Sequence, residues 1–522
     1  MEALPNLPED VHYIVLWELE DRSDVSALMR SSRSLYSLCI NRLLKMGVCI
    51  DTDDELTSFC CFMKTNFLDV NRPCIELLDL IIDIDWHGNE YDSIEDELSD
   101  YGSIEDLQGA PLLVPVLGCL LNLRNLTIEA CEALLKSEER LVSAFAALTT
   151  LRSLYVNGFG LHTYDFVNSL RSSLCKIHID CAYQTMKFSV DHITRDLRLV
   201  DPLHLLRGHE ETLEEAAIHV ADVTPLNVLP TERVFTRVHK LSLMRCRIVE
   251  RRMVTHAFPG VRTLEVFWME ASTLGAAVPM DVVRARNITD LEQWDHLEHV
   301  YADADSLFML ALNRKVGKLN VALWHFEGQV IVRLHTVLRD IQPSRVVLQW
   351  GFWADSIEGV SRDVSPEQLE QLLPGTQELF LDEITHLGLD VGLTTLKGDI
   401  SDYKVAIARL LSRLPRVRYF SFRLHVVAPE WEKEYDYATR KDVDDDGCKV
   451  LADFDDEALL LWADHIAATV QSMELQDFFI MNRRFCWCAG DDFVFEPEDA
   501  KRIMDAEGML WHCPSKIWQL EF

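Results

Sequence analysis

Two apolar rhythms run along this chain. In the first, short strings place apolar residues at offsets of zero, three and five. NLRNLTIEAC does so with Leu123, Leu126 and Ile128, and adds Cys131 at offset eight. RVHKLSLMRC repeats the same offsets with Val238, Leu241, Leu243 and Cys246. Leu151, Leu154 and Val156 form another copy, as do Leu174, Ile177 and Ile179, a string starting at Leu213, and Val261, Leu264 and Val266. Weaker copies follow at Leu319 to Leu323, Val346 to Trp350, Leu379 to Leu381, Val417 to Phe422 and Met473 to Phe478. Alternation by two within each string predicts a short strand with one face turned inward. In the second rhythm, ALLKSEERLVSAFAALTT and ISDYKVAIARLLSRLP carry helical spacing, the latter ending before Pro415.

Strand followed by helix, many times over, predicts a parallel sheet with an outer helical layer. One such unit cannot cover its own apolar face, so the units must stack. The pattern resembles leucine-rich repeats. The starts at Leu123, Leu151, Leu174, Leu213, Val238 and Val261 are unevenly spaced, which suits divergent superhelical members with insertions. The resemblance implies a concave sheet, a long recognition surface of the kind that holds a macromolecule. Arg124, Arg152, Tyr155, Arg262, Glu265, Gln349, Phe380, Arg418 and Tyr419 are the strand positions expected to face it.

Residues 4–46 read as a small three-helix unit. Leu7 and Pro8 precede the acidic turn Glu9 and Asp10, where proline needs no helical amide partner and carboxylates favour the positive helix end. Val11, Ile14, Val15 and Leu19 then give an apolar face, Ser23 is placed to cap a second helix carrying Val25, Leu28 and Met29, and a third carries Leu35, Leu38, Leu43 and Leu44. The strings LPEDVHYIVLWEL and SDVSALMRSSRSLYSL resemble the F-box, with Leu7, Pro8, Val11, Ile14, Leu19, Asp24, Val25, Leu28 and Arg33 at matching positions. Leu35 stands where many members have Trp, and Ser31 and Ser32 replace a common Val-Cys pair. The resemblance implies docking onto the Skp-family linker of a cullin-based ubiquitin ligase, with Leu7, Pro8, Ile14, Val25 and Leu28 as the contact or its immediate support.

The fold class expected is therefore α/β: an F-box-like module over 4–46, a helical connector and acidic loop over 51–110, and an irregular leucine-rich-repeat-like solenoid over 111–522. Inside the connector, HGNEYDSIEDELSDYGSIED has no basic side chain and reads as an exposed loop. A second charged excursion, near 430–457, interrupts the repeats.

Composition narrows the partners. Among 522 residues, 85 are acidic and 50 basic, a formal charge of −35, with 48% hydrophobic residues. That balance opposes a general nucleic-acid binder, which needs a basic face, and opposes adsorption to anionic membranes. The acidic opening segment does not read as a secretory signal, and no apolar run is long enough to span a bilayer. Fourteen cysteines without framework spacing read as reduced thiols of a cytoplasmic or nuclear protein.

Chemistry is scarce. The sequence has no phosphate-cradling glycine loop, HExxH pair or GxSxG elbow, and no Cys-x-x-Cys repeat. Cys486, Cys488, His512 and Cys513 have zinc-capable atoms, but adjacent His-Cys rarely supplies two tetrahedral directions, so packed thiols are the better reading. Asp442, Asp444, Asp446 and Gly447 open a calcium-loop spacing that Lys449 and Asp453 then break, leaving an acidic insertion. No catalytic residue, cofactor or metal is expected. The function expected is a non-catalytic substrate-recognition adaptor of a Skp–cullin–F-box-type ligase that holds an unidentified protein target on the repeat body. The alternative is a ligase-independent protein-binding scaffold whose helical N-terminus caps the repeats.

Overall fold

The computed structural model describes residues 9–84, 107–181, 202–219, 234–350, 364–426 and 456–488, apart from short breaks within them. The expected contacts Leu7 and Pro8, the acidic loop after Trp86, and nearly all of 430–457 lie outside the described residues, as do His512 and Cys513. The chain forms two compact units. One comprises Met1–Ile248 with Met253–Val261, the other Val249–Arg252 with Arg262–Phe522.

Three helices open the first unit: α1 (Glu9–Glu18), α2 (Arg22–Ser31) and α3 (Arg33–Lys45). Their core is Leu16, Val25, Leu35 and Cys39, with Leu19, Leu28, Met29, Leu38, Leu43 and Met46 packed around it. The apolar face expected on α1 is only partly the buried one. Leu16 is inserted, whereas Ile14 and Val15 point outward. The cap of α2 also differs from expectation: the helix starts one residue before Ser23, and the Asp21 carboxylate accepts the Ser23 amide at 2.7 Å. Arg42 of α3 donates to the carbonyls of Leu16 and Leu19, satisfying the end of α1.

Among the described residues, seven parallel strands follow in the first unit: β1 (Val48–Ile50), β2 (Asp79–Ile82), β3 (Asn125–Ile128), β4 (Ser153–Asn157), β5 (Lys176–Asp180), β6 (Glu215–His219) and β7 (Lys240–Met244). They pair in sequence order, so the sheet begins at Val48 rather than near residue 111. Register aligns Leu126, Leu154, Ile177, Ala216 and Leu241 across neighbouring strands, and Ile82, Ile128, Val156, Ile179, Ile218 and Leu243 form a second row. Both rows are buried. Helices α4 (Asp53–Met63), α5 (Ala110–Leu117), α6 (Cys131–Ser137), α7 (Arg140–Ala146) and α8 (Leu161–Ser169) join the strands, with α5 packed on α4 and α7, and α8 on α6 and α7.

The second unit repeats the plan. Its parallel strands are β8 (Thr263–Phe267), β11 (His299–Asp303), β12 (Lys318–Leu323), β13 (Arg345–Trp350), β14 (His386–Leu393), β15 (Tyr419–Val426) and β16 (Leu475–Ile480). A small ribbon, β9 (Ser272–Thr273) with β10 (Ala276–Ala277), lies in the β8–β11 connection. β17 (Arg483–Cys488) closes the order antiparallel to β16, which places Cys486 and Cys488 on a strand.

One expected strand is a 3-10 turn instead. Leu379 to Leu381 lies within Leu379–Glu383, and Phe380 is buried there rather than on the strand face. The strand comes later, with Ile384, Leu387 and Leu389 filling offsets zero, three and five, all fully buried. Each unit is thus a mixed α/β stack of parallel strands and flanking helices, an arrangement of the leucine-rich-repeat kind.

A hydroxyl ties successive repeats together. Thr150 donates to the Leu123 carbonyl at 2.8 Å, Thr212 to Leu174 at 2.7 Å, and Ser472 to Val417 at 2.7 Å. Each sits immediately before the first apolar position of its repeat and reaches the matching position of the repeat before it. This satisfies a carbonyl that the strand ladder does not reach.

Candidate functional site

The expected docking residues divide by burial. Val25 is fully buried in the three-helix core, and Leu28 packs against that core while staying partly accessible. Ile14 lies apart from both and is 61% exposed. Trp17, one turn further along α1, is 57% exposed and lies beneath the Arg42 guanidinium at 5.1 Å and the Lys45 ammonium at 5.3 Å from its ring centre. Those cations hold the indole in place without covering it. With Val15 beside them, Ile14 and Trp17 make a small apolar patch that the module's own core does not use.

A second cluster lies on the strand face opposite the apolar rows of the first unit. Alternation puts Thr127, Tyr155 and His178 on this face, and the last strand positions add Asn157, Asp180 and His219 in register, with Glu129 just past β3. Asn157 Nδ2 donates to Glu129 Oε2 at 2.6 Å, and the Tyr155 hydroxyl also donates to Glu129. Burial raises the Glu129 carboxyl above its ordinary range. Asp83 and Asp180 add to the rise, while the two hydrogen bonds oppose it. Burial likewise raises Tyr155, reinforced by Glu129 and Asp180.

The Tyr155 and His178 ring centres lie 4.3 Å apart with the planes tilted by 44°, and His178 meets His219 edge-on at 4.2 Å. His219 Nδ1 stands 3.3 Å from Asp180 Oδ2, both side chains being buried. Burial and the neighbouring His219 bring His178 down to about 3, so its imidazole is neutral at physiological pH. Its Nε2 is shut off from solvent and has no hydrogen-bond partner in the structure. His178, Asp180 and His219 are a metal-capable group of three among the described residues, with one ligand atom from each lying within 4.8 Å of the others. Sequence reading missed this group because its members lie on strands 39 residues apart, and neither HID nor AIH is a motif. The alternation rule puts His178 and Asp180 on one face; only the register brings His219 beside them.

Of the other strand positions expected on this face, Arg124, Arg152, Arg262 and Arg418 are exposed, and Glu265 and Tyr419 partly so. Tyr155 and Gln349 are buried, and the Tyr301 hydroxyl donates to Gln349 at 2.8 Å. In the second unit, Lys318 is brought down to about 8 by burial and by Arg345 on the adjoining strand.

These features define a repeat-type α/β protein with a helical module ahead of its sheet. No family model matches the sequence, and no curated protein matches it. Among solved structures, one similar chain is from a complex of TLR13 with the single-stranded RNA ssRNA13, at 10% identity and a TM-score of 0.26, covering 68% of this chain and 50% of that one. The present chain therefore spans about half the length of that structure. Another is from the Rad7 and Elc1 complex in yeast, at 11% identity and a TM-score of 0.26, covering 82% of this chain and 94% of that one. At that level of superposition neither bears on function here, which rests on the residues above.

Proposed function

We propose that this chain is a non-catalytic substrate-recognition adaptor of a Skp–cullin–F-box-type ubiquitin ligase, working in the cytoplasm or nucleus. The observation that carries this reading is the α1 patch, where Ile14 and Trp17 are exposed on a helix whose opposite face already fills the module core. Apolar side chains held rigid and left uncovered suit a hydrophobic partner surface. The Skp-family linker is the partner that the F-box resemblance of LPEDVHYIVLWEL and SDVSALMRSSRSLYSL implies. Val25 and Leu28 act at one remove, by packing the core to which Leu16 anchors α1. On this reading the repeat body holds the target, and the chain speeds modification by proximity rather than by chemistry of its own.

The test is capture of a purified Skp-family linker by the full chain, with an Ile14→Asp variant beside it. Stoichiometric capture by the native chain and its loss in a folded variant is the expected result. Failure of the folded native chain to bind would leave the ligase-independent scaffold as the function of the repeat body.

A further inference from the structure

We propose that His178, Asp180 and His219 form a binding site for a divalent transition metal, zinc in the first instance, that clips β5 to β6. Two imidazole nitrogens and one carboxylate oxygen are the donor set of three-ligand zinc sites that leave a fourth position for water or an incoming ligand. The three atoms lie within 4.8 Å of one another. Tetrahedral zinc with bonds near 2.0–2.1 Å needs its ligand atoms roughly 3.3 Å apart. His219 Nδ1 and Asp180 Oδ2 already stand 3.3 Å apart. Drawing in His178 takes a shift of roughly 1.5 Å at most, which a side-chain rotation supplies.

The surroundings favour a cation. Asp180 raises the buried Glu129 carboxyl across this face, so a bound divalent charge relieves a repulsion that the folded chain otherwise carries. The ligands are also held in place. His178 and Asp180 alternate along one strand, His219 is in register with Asp180 on the next, and the Tyr155 ring packs against His178. His178 Nε2 meets no protein acceptor or donor and is closed to solvent, an arrangement that costs stability unless something binds there. The histidine and aspartate pair alone would explain the 3.3 Å contact, but not that unpartnered nitrogen.

Metal-stripped full-length protein titrated with Zn2+ tests the site, followed by calorimetry and by the visible absorption of the Co2+-substituted protein. One ion per chain should bind, with tetrahedral Co2+ bands that include no thiolate charge-transfer component. His178→Gln and Asp180→Asn, which keep side-chain size, should each weaken binding more than about 100-fold, since loss of even an outer-shell partner costs 10–100-fold. Circular dichroism of each variant checks that it folds. A Cys486→Ser/Cys488→Ser double variant should bind zinc as the native chain does. No bound zinc in the folded native protein would overturn the proposal. So would binding that survives both His178→Gln and Asp180→Asn, or binding that vanishes with the two cysteines. None of these outcomes depends on whether the N-terminal module binds a ligase.

Discussion

Truncating Val25 to Ala separates two roles that the N-terminal module combines. Val25 is completely buried, and with Leu16, Leu35 and Cys39 it forms the buried core cluster of three helices. The change removes two methyl groups. At about 0.8 kcal/mol for each buried methylene-sized group, transfer alone costs about 1.6 kcal/mol, and the cavity adds to that. We therefore expect a loss of about 2 kcal/mol. A unit of some forty residues holds only about 2–6 kcal/mol in all, so this one change consumes a large share of it.

Hydrogen exchange of α1 to α3, read by mass spectrometry in the full chain, measures the loss locally. At about 1.4 kcal/mol per factor of ten, protection should fall about 30-fold. Ile14→Ala is the matched control. Being 61% exposed and outside the core, Ile14 should leave protection within about twofold of the native value. Its effect should appear instead in linker capture. Protection unchanged within threefold in Val25→Ala would refute the argument that these four side chains stabilise the module. Equal loss of protection in Ile14→Ala would show that the α1 patch is part of the core after all.

Two further changes probe the repeat body. Arg251 is fully buried, and its guanidinium donates to the carbonyls of Leu310, Ala311 and Asp290, closing the end of the helix Ala304–Leu310. Arg251→Met keeps the length but orphans those carbonyls, so urea denaturation should show a loss of about 3–5 kcal/mol; a loss under 1 kcal/mol would contradict the clamp. Gly158 follows β4 with a φ of +76°, and a Cβ there would lie 3.1 Å from Ala130 Cα and 3.3 Å from Cys131 N. Gly158→Ala should cost about 1–3 kcal/mol in thermal or urea unfolding, and a neutral result would mean the turn rearranges freely.

The legible part of this fold is the part written in apolar spacing. Leu123, Leu126 and Ile128 announce β3, and Val238, Leu241 and Leu243 announce β7, because a strand with one buried face must repeat by two. Spacing fails where an equivalent string competes nearby. LFLDE and ITHLGL both offer leucines at suitable intervals, and only the second pairs with β13, the first winding into a 3-10 turn. It fails on α1 for another reason. A ten-residue helix that is apolar on two sides does not say which side its small core takes, and Leu16 is chosen over Ile14 by contact with Val25 and Leu35.

The functional residues are less legible than the fold because they are defined across strands, where one sequence carries no register. His178 and His219 are unremarkable in their own strings and become a pair only when Asp180 aligns with His219. The same holds for Glu129, which takes hydrogen bonds from Asn157 and Tyr155 of the next strand. A repeat protein spends its periodic residues on stacking, so those that vary from repeat to repeat on the opposite face are free to be selected for binding. In the first unit that free face is not filled with neutral spacers. It holds two imidazoles, a phenol, an amide and carboxylates, and among them burial raises Glu129 and Tyr155 and lowers His178. Burying so many polar groups together costs stability unless each gains a partner, and His178 Nε2 has none in the structure. A bound cation accounts for that cost, whereas a merely solvated strand face does not.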